Sequence, residues 1–272
     1  MEGNPAPLPA HAPRLRCRRV RGGAIDVDDV FLLADLPRTG ADLLAMSPVP
    51  PLPVGSLWGD GATPWLQVLG HVLLPACAPH ACRGWWCRCL DPTPFFHEQE
   101  VEGCLWKTGL SLAWITLSDK GAAGQREDKG GPLIEEIARA HISLCHAAGF
   151  LLPDDPRALK ALVTDLALTQ GYDLVCTTGG TGLSPRDTTP EATLAVIERR
   201  LPGFEQAMMQ TSLAKTPTGA LSRAVVGTLG NAIVINLPGS PKAIRENFAA
   251  ILPALPHALA KLQGDPADCA AH

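Results

Sequence analysis

The chain has 272 residues, of which 46% are hydrophobic and 18% charged, with a formal net charge of −4. That length holds one large domain or two modest ones, and its later part alone can bury an adequate core. The mild acidity gives no reason to expect nucleic acid or an anionic membrane as a partner, and no apolar run approaches the ~20 residues that span a bilayer.

Basic residues near the N-terminus are followed by no apolar stretch, so the segment does not read as a secretion signal and the chain is expected in the cytoplasm. Nine irregularly spaced cysteines then read as reduced thiols and not as a disulfide framework.

Composition changes near residue 108. All six tryptophans precede residue 115, and proline is dense in Ser47–Pro53. Residues 1–107 read as a small β-rich or partly disordered module, with strand-like pieces at Trp65–Leu69 and His71–Leu74. Cys77, Cys82, Cys87 and Cys89, with His80, lie close enough in sequence to hold zinc or an iron–sulfur centre. Their spacing lacks the paired C-x₂-C knuckles of structural zinc sites, which favours reduced thiols in a loosely folded segment. Five arginines between Arg14 and Arg21 read as a solvated tail more readily than as a basic arm.

Residues 108–264 are more regular, and 265–272 form a tail. Leu110–Leu117 is a short apolar run suited to a strand covered on both faces. After the loop Ser118–Gly124, a helix starting near Pro132 is expected to carry Ile134, Ile137, Ala138, His141 and Cys145 on one stripe. A second strand at Phe150–Leu152 leads to Asp155-Pro156, a cap and first-turn pair, with Leu159, Leu162, Val163 and Leu166 following at helical spacing. A third strand, Leu174–Thr178, runs into a glycine loop. The capping box Thr188–Glu191 then opens a helix whose apolar face is Leu194, Ile197 and Leu201. A fourth strand, Ala232–Asn236, precedes a helix capped by Ser240. Strands alternating with helices predict an α/β fold of three layers, a largely parallel sheet with helices on both faces.

In such a sheet every strand-to-helix loop emerges at the carboxyl edge, where ligands bind. Topology therefore gathers Ser118–Gly124, Pro153–Asp155, Gly179–Asp187 and Pro238–Pro241 on one side. Glycines at 179, 180 and 182 let backbone N–H groups approach an anion, and Thr181 adds a hydroxyl; taken alone, the cluster is equally a tight turn after a strand. Asp154 and Asp187 are placed to hold Mg²⁺ against a polyphosphate. Asp154 is also explicable as a turn residue, whereas Asp187 lies just ahead of a capping threonine and is less so. Pro238, Gly239, Ser240 and Lys242 could present a turn, a hydroxyl and a cation, or simply connect a strand to a helix. Ser222 and Arg223 carry weak signals on their own.

The strings SDKGAAGQREDKGGP, LPDD, TTGGTGLSPRDTTPEAT, PGF, ALSR and INLPGSPKA, in that order and rough spacing, resemble the molybdopterin adenylyltransferase (MoaB/Mog) family over about residues 108–264. The resemblance implies an α/β domain, usually a homotrimer, that binds ATP, Mg²⁺ and molybdopterin and passes its product toward a molybdate-inserting partner. It assigns catalysis and tentative Mg²⁺ binding to Asp154 and Asp187. It assigns substrate or nucleotide contacts to Ser118, Asp119, Gly179, Gly180, Thr181, Gly182, Ser222, Pro238 and Gly239, and the reading of the loops themselves adds Thr178, Ser240 and Lys242. A noncatalytic molybdopterin-binding scaffold and a nucleotide pyrophosphatase on a related fold are the competing readings. In the N-terminal part, Leu52–Asp60 faintly resembles MOSC (molybdenum cofactor sulfurase C-terminal) domains, which implies a cut-down or diverged example.

Overall fold

The computed structural model describes residues 12–20, 25–35, 41–74, 82–97 and 100–265. The chain divides into two compact units, Met1–Thr108 and Gly109–His272.

The first unit contains β1 (Arg14–Arg19), β2 (Val30–Ala34), β3 (Leu43–Ala45), β4 (Leu57–Gly59), β5 (Pro64–Leu74), β6 (Cys82–Cys89), a short helix α1 (Thr93–His97) and β7 (Glu100–Trp106). The strands close into a barrel in the order β1-β3-β2-β6-β5-β4-β7. Closure removes the unpaired edges an open sheet would expose. Period-two alternation drives it: on β1 Leu15 and Cys17 point inward, while Arg14, Arg16 and Arg18 point out. Those arginines therefore belong to a strand and not to a tail, and they pair with Glu100 and Glu102 on β7. The two expected strand pieces at residues 65–74 are one strand, interrupted by a bulge between Val68 and Gly70. Trp58, Trp65 and Phe95 fill the interior with Leu15, Leu33 and Leu105, and the Trp58 indole N–H donates to the Leu15 carbonyl at 3.1 Å. In the MOSC-like stretch, Leu52, Val54 and Trp58 are all core residues.

The cysteines of β6 sit in ordered structure. Cys82, Cys87 and Cys89 are buried, reduced thiols. Burial pushes the Cys87 thiol up to about 12 and that of Cys89 to about 11, which disfavours the thiolate that a metal requires. No group of three or more His, Cys, Asp or Glu side chains placed to hold a metal ion occurs among the described residues; Cys77 and His80 lie outside them.

The second unit runs β8 (Leu110–Leu117), α2 (Asp119–Ala122), α3 (Gly130–His141), β9 (Leu144–Leu152), α4 (Pro156–Thr164) with a π-helical turn (Asp165–Thr169), β10 (Leu174–Thr178), α5 (Thr189–Leu194), β11 (Arg199–Arg200), α6 (Pro202–Leu213), β12 (Val226–Leu229), β13 (Ala232–Leu237), α7 (Pro241–Ile251) and α8 (Leu255–Leu262). The sheet order is β11-β12-β13-β10-β8-β9. Strands β9, β8, β10 and β13 are parallel, and β12 and β11 extend the sheet antiparallel. One face packs Leu112, Leu174, Cys176, Ile233 and Ile235 against Ile134, Met208, Phe248 and Leu259 of the helices. Alternation turns Thr177 and Asn236 to the other face. There the Asn236 amide donates to Thr177 and to Thr193 of α5, each at 2.9 Å.

Three local expectations fail for identifiable reasons. The helix after the glycine loop stops at Leu194 instead of reaching Leu201. Beyond it, the N–H groups of Glu198 and Leu201 bond to Thr228 and Val226 of β12, and Pro202 disfavours helical geometry at Leu201. Edge pairing overrides a periodicity that Leu194, Ile197 and Leu201 satisfied only on paper. Cys145 is not on the α3 stripe but on β9, which starts at Leu144, six residues before the expected strand, and His141 is exposed. The capping box does not form: Thr188 makes no capping hydrogen bond through its side chain, and the Glu191 carboxylate pairs with Arg223. Asp155 does cap α4, accepting the Arg157 N–H at 2.8 Å.

Candidate active site

Parallel strands deliver four loops to the carboxyl edge, and one carboxylate ties three of them. Ser118 caps α2, its Oγ accepting the Gly121 N–H at 3.1 Å. Asp119 follows in the first turn. Its Oδ1 accepts the backbone N–H of Asp154 at 3.0 Å, and its Oδ2 pairs with the guanidinium of Arg186. The loops after β8, β9 and β10 therefore converge on Asp119.

The glycine loop has the geometry that requires glycine. Gly179 and Gly180 have φ of +100° and +63°, in the half of backbone space that side chains disfavour. A Cβ at Gly180 would stand 2.4 Å from Thr189 Oγ1, and one at Gly179 2.6 Å from the Leu117 carbonyl. The Thr189 hydroxyl donates to the Gly179 carbonyl at 2.9 Å. Thr178 is buried, and its hydroxyl donates to the Pro238 carbonyl at 2.8 Å, joining this loop to the one after β13. Thr181, expected to offer a hydroxyl to an anion, is only 6% exposed.

Gly182 packs against Asp187 so closely that a Cβ there would lie 2.8 Å from Asp187 Oδ2. That oxygen accepts the Ser184 N–H at 2.9 Å, and the Asp187 N–H returns to the Ser184 carbonyl at 2.8 Å. Asp154 is half-buried. Desolvation first, and the charge of Asp187 second, hold its carboxyl above the usual range. Asp154 thus feels the charge of Asp187 across the loop edge.

A cleft of about 180 Å³ is lined by Ser118, Arg126, Lys129, Gly179 and Gly239 among others. Asp128 shapes its wall: one oxygen accepts the Gly130 and Gly131 N–H groups at 2.9 and 3.1 Å, the other the Thr116 hydroxyl at 2.8 Å. The N-terminus of α3 is thereby capped internally. A larger cleft of about 440 Å³, lined by Ser222, Arg223, Glu191, Arg200 and Glu205, lies on the far side of Arg223. Asp154 and Asp187 line neither cleft. Of the remaining expected residues, Pro238 and Gly239 join the first group, Ser240 occupies the cap position of α7 without a side-chain bond, and Lys242 is exposed in the first turn of that helix. Ser222 faces the second cleft.

Residues not singled out as site residues from sequence include Asp128, Arg186 and Glu191. All three, like Arg126, lie inside the motif strings named above, so position alone could have flagged them.

Residues 113–257 match the family described as "Probable molybdopterin binding domain". The chain belongs to this family. Among its curated relatives, the molybdopterin adenylyltransferase of Haemophilus influenzae is 39% identical over 143 residues, covering 52% of this chain and 73% of that protein. The molybdopterin adenylyltransferase of Helicobacter pylori strain J99 is 39% identical over 158 residues, covering 57% and 89%. Among solved structures, the molybdopterin biosynthesis enzyme MoaB from Thermus thermophilus superposes with a TM-score of 0.53 at 42% identity, covering 58% of this chain and 98% of that one. These matches span little more than half of the chain, and the family placement therefore speaks for the sheet-bearing unit. Within this molybdopterin-binding family, the relatives carrying the adenylyltransferase name are nucleotidyltransferases.

Proposed function

We propose that this chain is a molybdopterin adenylyltransferase, moving AMP from ATP to molybdopterin with release of pyrophosphate. The supporting observation is the convergence of Asp154 and Asp187 beside the glycine loop, organised by Asp119. In this reaction a terminal phosphate oxygen of molybdopterin attacks the α-phosphorus of ATP, and the bond to the bridging oxygen of pyrophosphate breaks. The attacking oxygen is already anionic at neutral pH, so no general base is needed. The difficulty is bringing two anions together, which alignment and charge neutralisation solve.

The donor set fits Mg²⁺. Two carboxylates, of which Asp154 is made costlier to charge by burial and by Asp187, with no third protein ligand among the described residues, suit a cation that takes its remaining oxygens from a polyphosphate and water. Asp187 and Asp154 would hold it, and it would offset charge on the departing pyrophosphate. The protein's own contribution is placement. Gly179 and Gly180 allow close approach of the backbone, while Arg126, Lys129 and Lys242 supply positive potential around the edge. A homotrimer and a partner that inserts molybdate belong to the same proposal.

Incubation of the full chain with molybdopterin, ATP and Mg²⁺, read by mass spectrometry, tests it. Adenylyl-molybdopterin is the expected product. ATP hydrolysis that needs no molybdopterin would favour a pyrophosphatase, and binding without turnover would favour a scaffold.

A further inference from the structure

Arg223 makes more bonds to the catalytic loop than any substrate-facing role requires. Its backbone N–H donates to the Thr181 carbonyl at 3.0 Å. Its Nε donates to the Gly182 carbonyl at 2.8 Å. Nη2 donates to the carbonyl of Asp187, and Nη1 pairs with Glu191 on α5. One residue thus grips both ends of the segment 182–187 and fastens it to the following helix. The side chain is 33% exposed, and it stands between the loop and the larger cleft.

We propose that Arg223 is a positioning residue: it closes the 182–187 segment so that the Asp187 carboxylate is held at the carboxyl edge, and it acts on the reaction only through Asp187. Three features support this. The guanidinium is a rigid planar fork, able to serve separate acceptors at fixed angles where an ammonium is a single point. Both carbonyls it holds belong to residues flanking the turn whose internal bonds, Ser184 N–H to Asp187 Oδ2 and Asp187 N–H to Ser184 carbonyl, orient the carboxylate. Glu191 balances the guanidinium charge, so the residue can be half-buried without drawing Asp187's own carboxylate away.

The kinetic part of this inference rests on the adenylyltransferase reading; the structural part does not. The test uses the full chain and its Arg223→Lys and Arg223→Gln variants. Amide hydrogen exchange of residues 182–187 is measured alongside the Mg²⁺ dependence of product formation and the KM for molybdopterin. Expected are at least about tenfold faster exchange in that segment and a Mg²⁺ requirement raised about tenfold. A fall in kcat and an unchanged KM for molybdopterin complete the pattern, with Lys no better than Gln. Should either variant fail to fold, Glu191→Gln, which loosens only Nη1, is expected to raise exchange and the Mg²⁺ requirement a fewfold. Unchanged exchange in 182–187 in all folded variants would overturn the proposal. So would a loss confined to the KM for molybdopterin, which would mean that Arg223 binds substrate directly. Wild-type protein that makes no product would fail the adenylyltransferase reading instead, while leaving the exchange result to decide the role of Arg223.

Discussion

The carboxylate of Asp119 accepts the backbone N–H of Asp154 at 3.0 Å while its other oxygen pairs with Arg186. Two loops that would otherwise move independently at the sheet edge are thereby referred to one side chain. Asp119→Asn keeps an acceptor for the Asp154 N–H but loses the ion pair; Asp119→Ala loses both. The expected result is a graded fall in kcat, a fewfold for Asn and about 10–100-fold for Ala. The pair is well exposed, so the melting temperature should move by the equivalent of less than about 1 kcal/mol. Steady-state kinetics with thermal melts check both halves.

A raised carboxyl has a definite sign for stability. Asp154 binds its proton more tightly folded than unfolded, because burial and then Asp187 disfavour its charge. It therefore contributes stability below the unfolded carboxylate pKa, and that contribution is lost as pH rises through the folded value. Asp154→Asn should accordingly melt higher than the parent at pH 7 without added cation, and the gain should shrink on acidification. In an Asp187→Asn background the gain should be smaller, because Asp154 then lacks its charged neighbour. Melts without added Mg²⁺ across the pH range measure these effects.

The glycine loop offers a paired comparison. Gly180→Ala forces a methyl to within 2.4 Å of Thr189 Oγ1 at a φ of +63°. The left-handed backbone alone costs about 1–2 kcal/mol, and displacing Thr189 releases the Gly179 carbonyl it holds. Gly203→Ala, on α6 with no atom near the new methyl, should be about 0.4–1 kcal/mol more stable than the parent. Denaturant melts of both variants check the contrast, and only the first should lose activity.

At the opposite edge of the sheet, Asp173 is buried and fully engaged. Its Oδ2 accepts the Ser111 N–H at 2.6 Å and the Ser111 hydroxyl at 2.8 Å, and its Oδ1 accepts the Gln263 amide at 2.8 Å. Asp173→Ala strands those donors and should cost about 1–3 kcal/mol of stability. Activity per folded molecule should stay at the parental level, because this edge carries none of the converging loops. Chemical denaturation with active-site titration checks it.

Much of this site was legible because strand order and loop position are local. Runs such as Leu110–Leu117 and Leu174–Thr178 name themselves as buried strands, and parallel connection obliges their loops to share an edge. What could not be read depends on contacts between distant residues. The pairing of Arg199–Arg200 with Gly227–Thr228 is set by tertiary structure, and it converts an apparent helix into an edge strand. Arg223 looked like a weak signal because its four bonds reach residues 32–42 positions away. The barrel is hard to see for another reason: strands such as β3 and β4 are only three residues long, and its inward positions are filled by cysteines and tryptophans as well as by aliphatic residues.

The most direct test is the rate of adenylyl-molybdopterin formation by Asp187→Asn at saturating Mg²⁺, set beside the parent. The substitution preserves size, so the variant should melt like the parent, yet kcat should fall on the order of 10²-fold or more. A near-parental rate from folded Asp187→Asn protein would contradict the assignment of this carboxylate to the reaction.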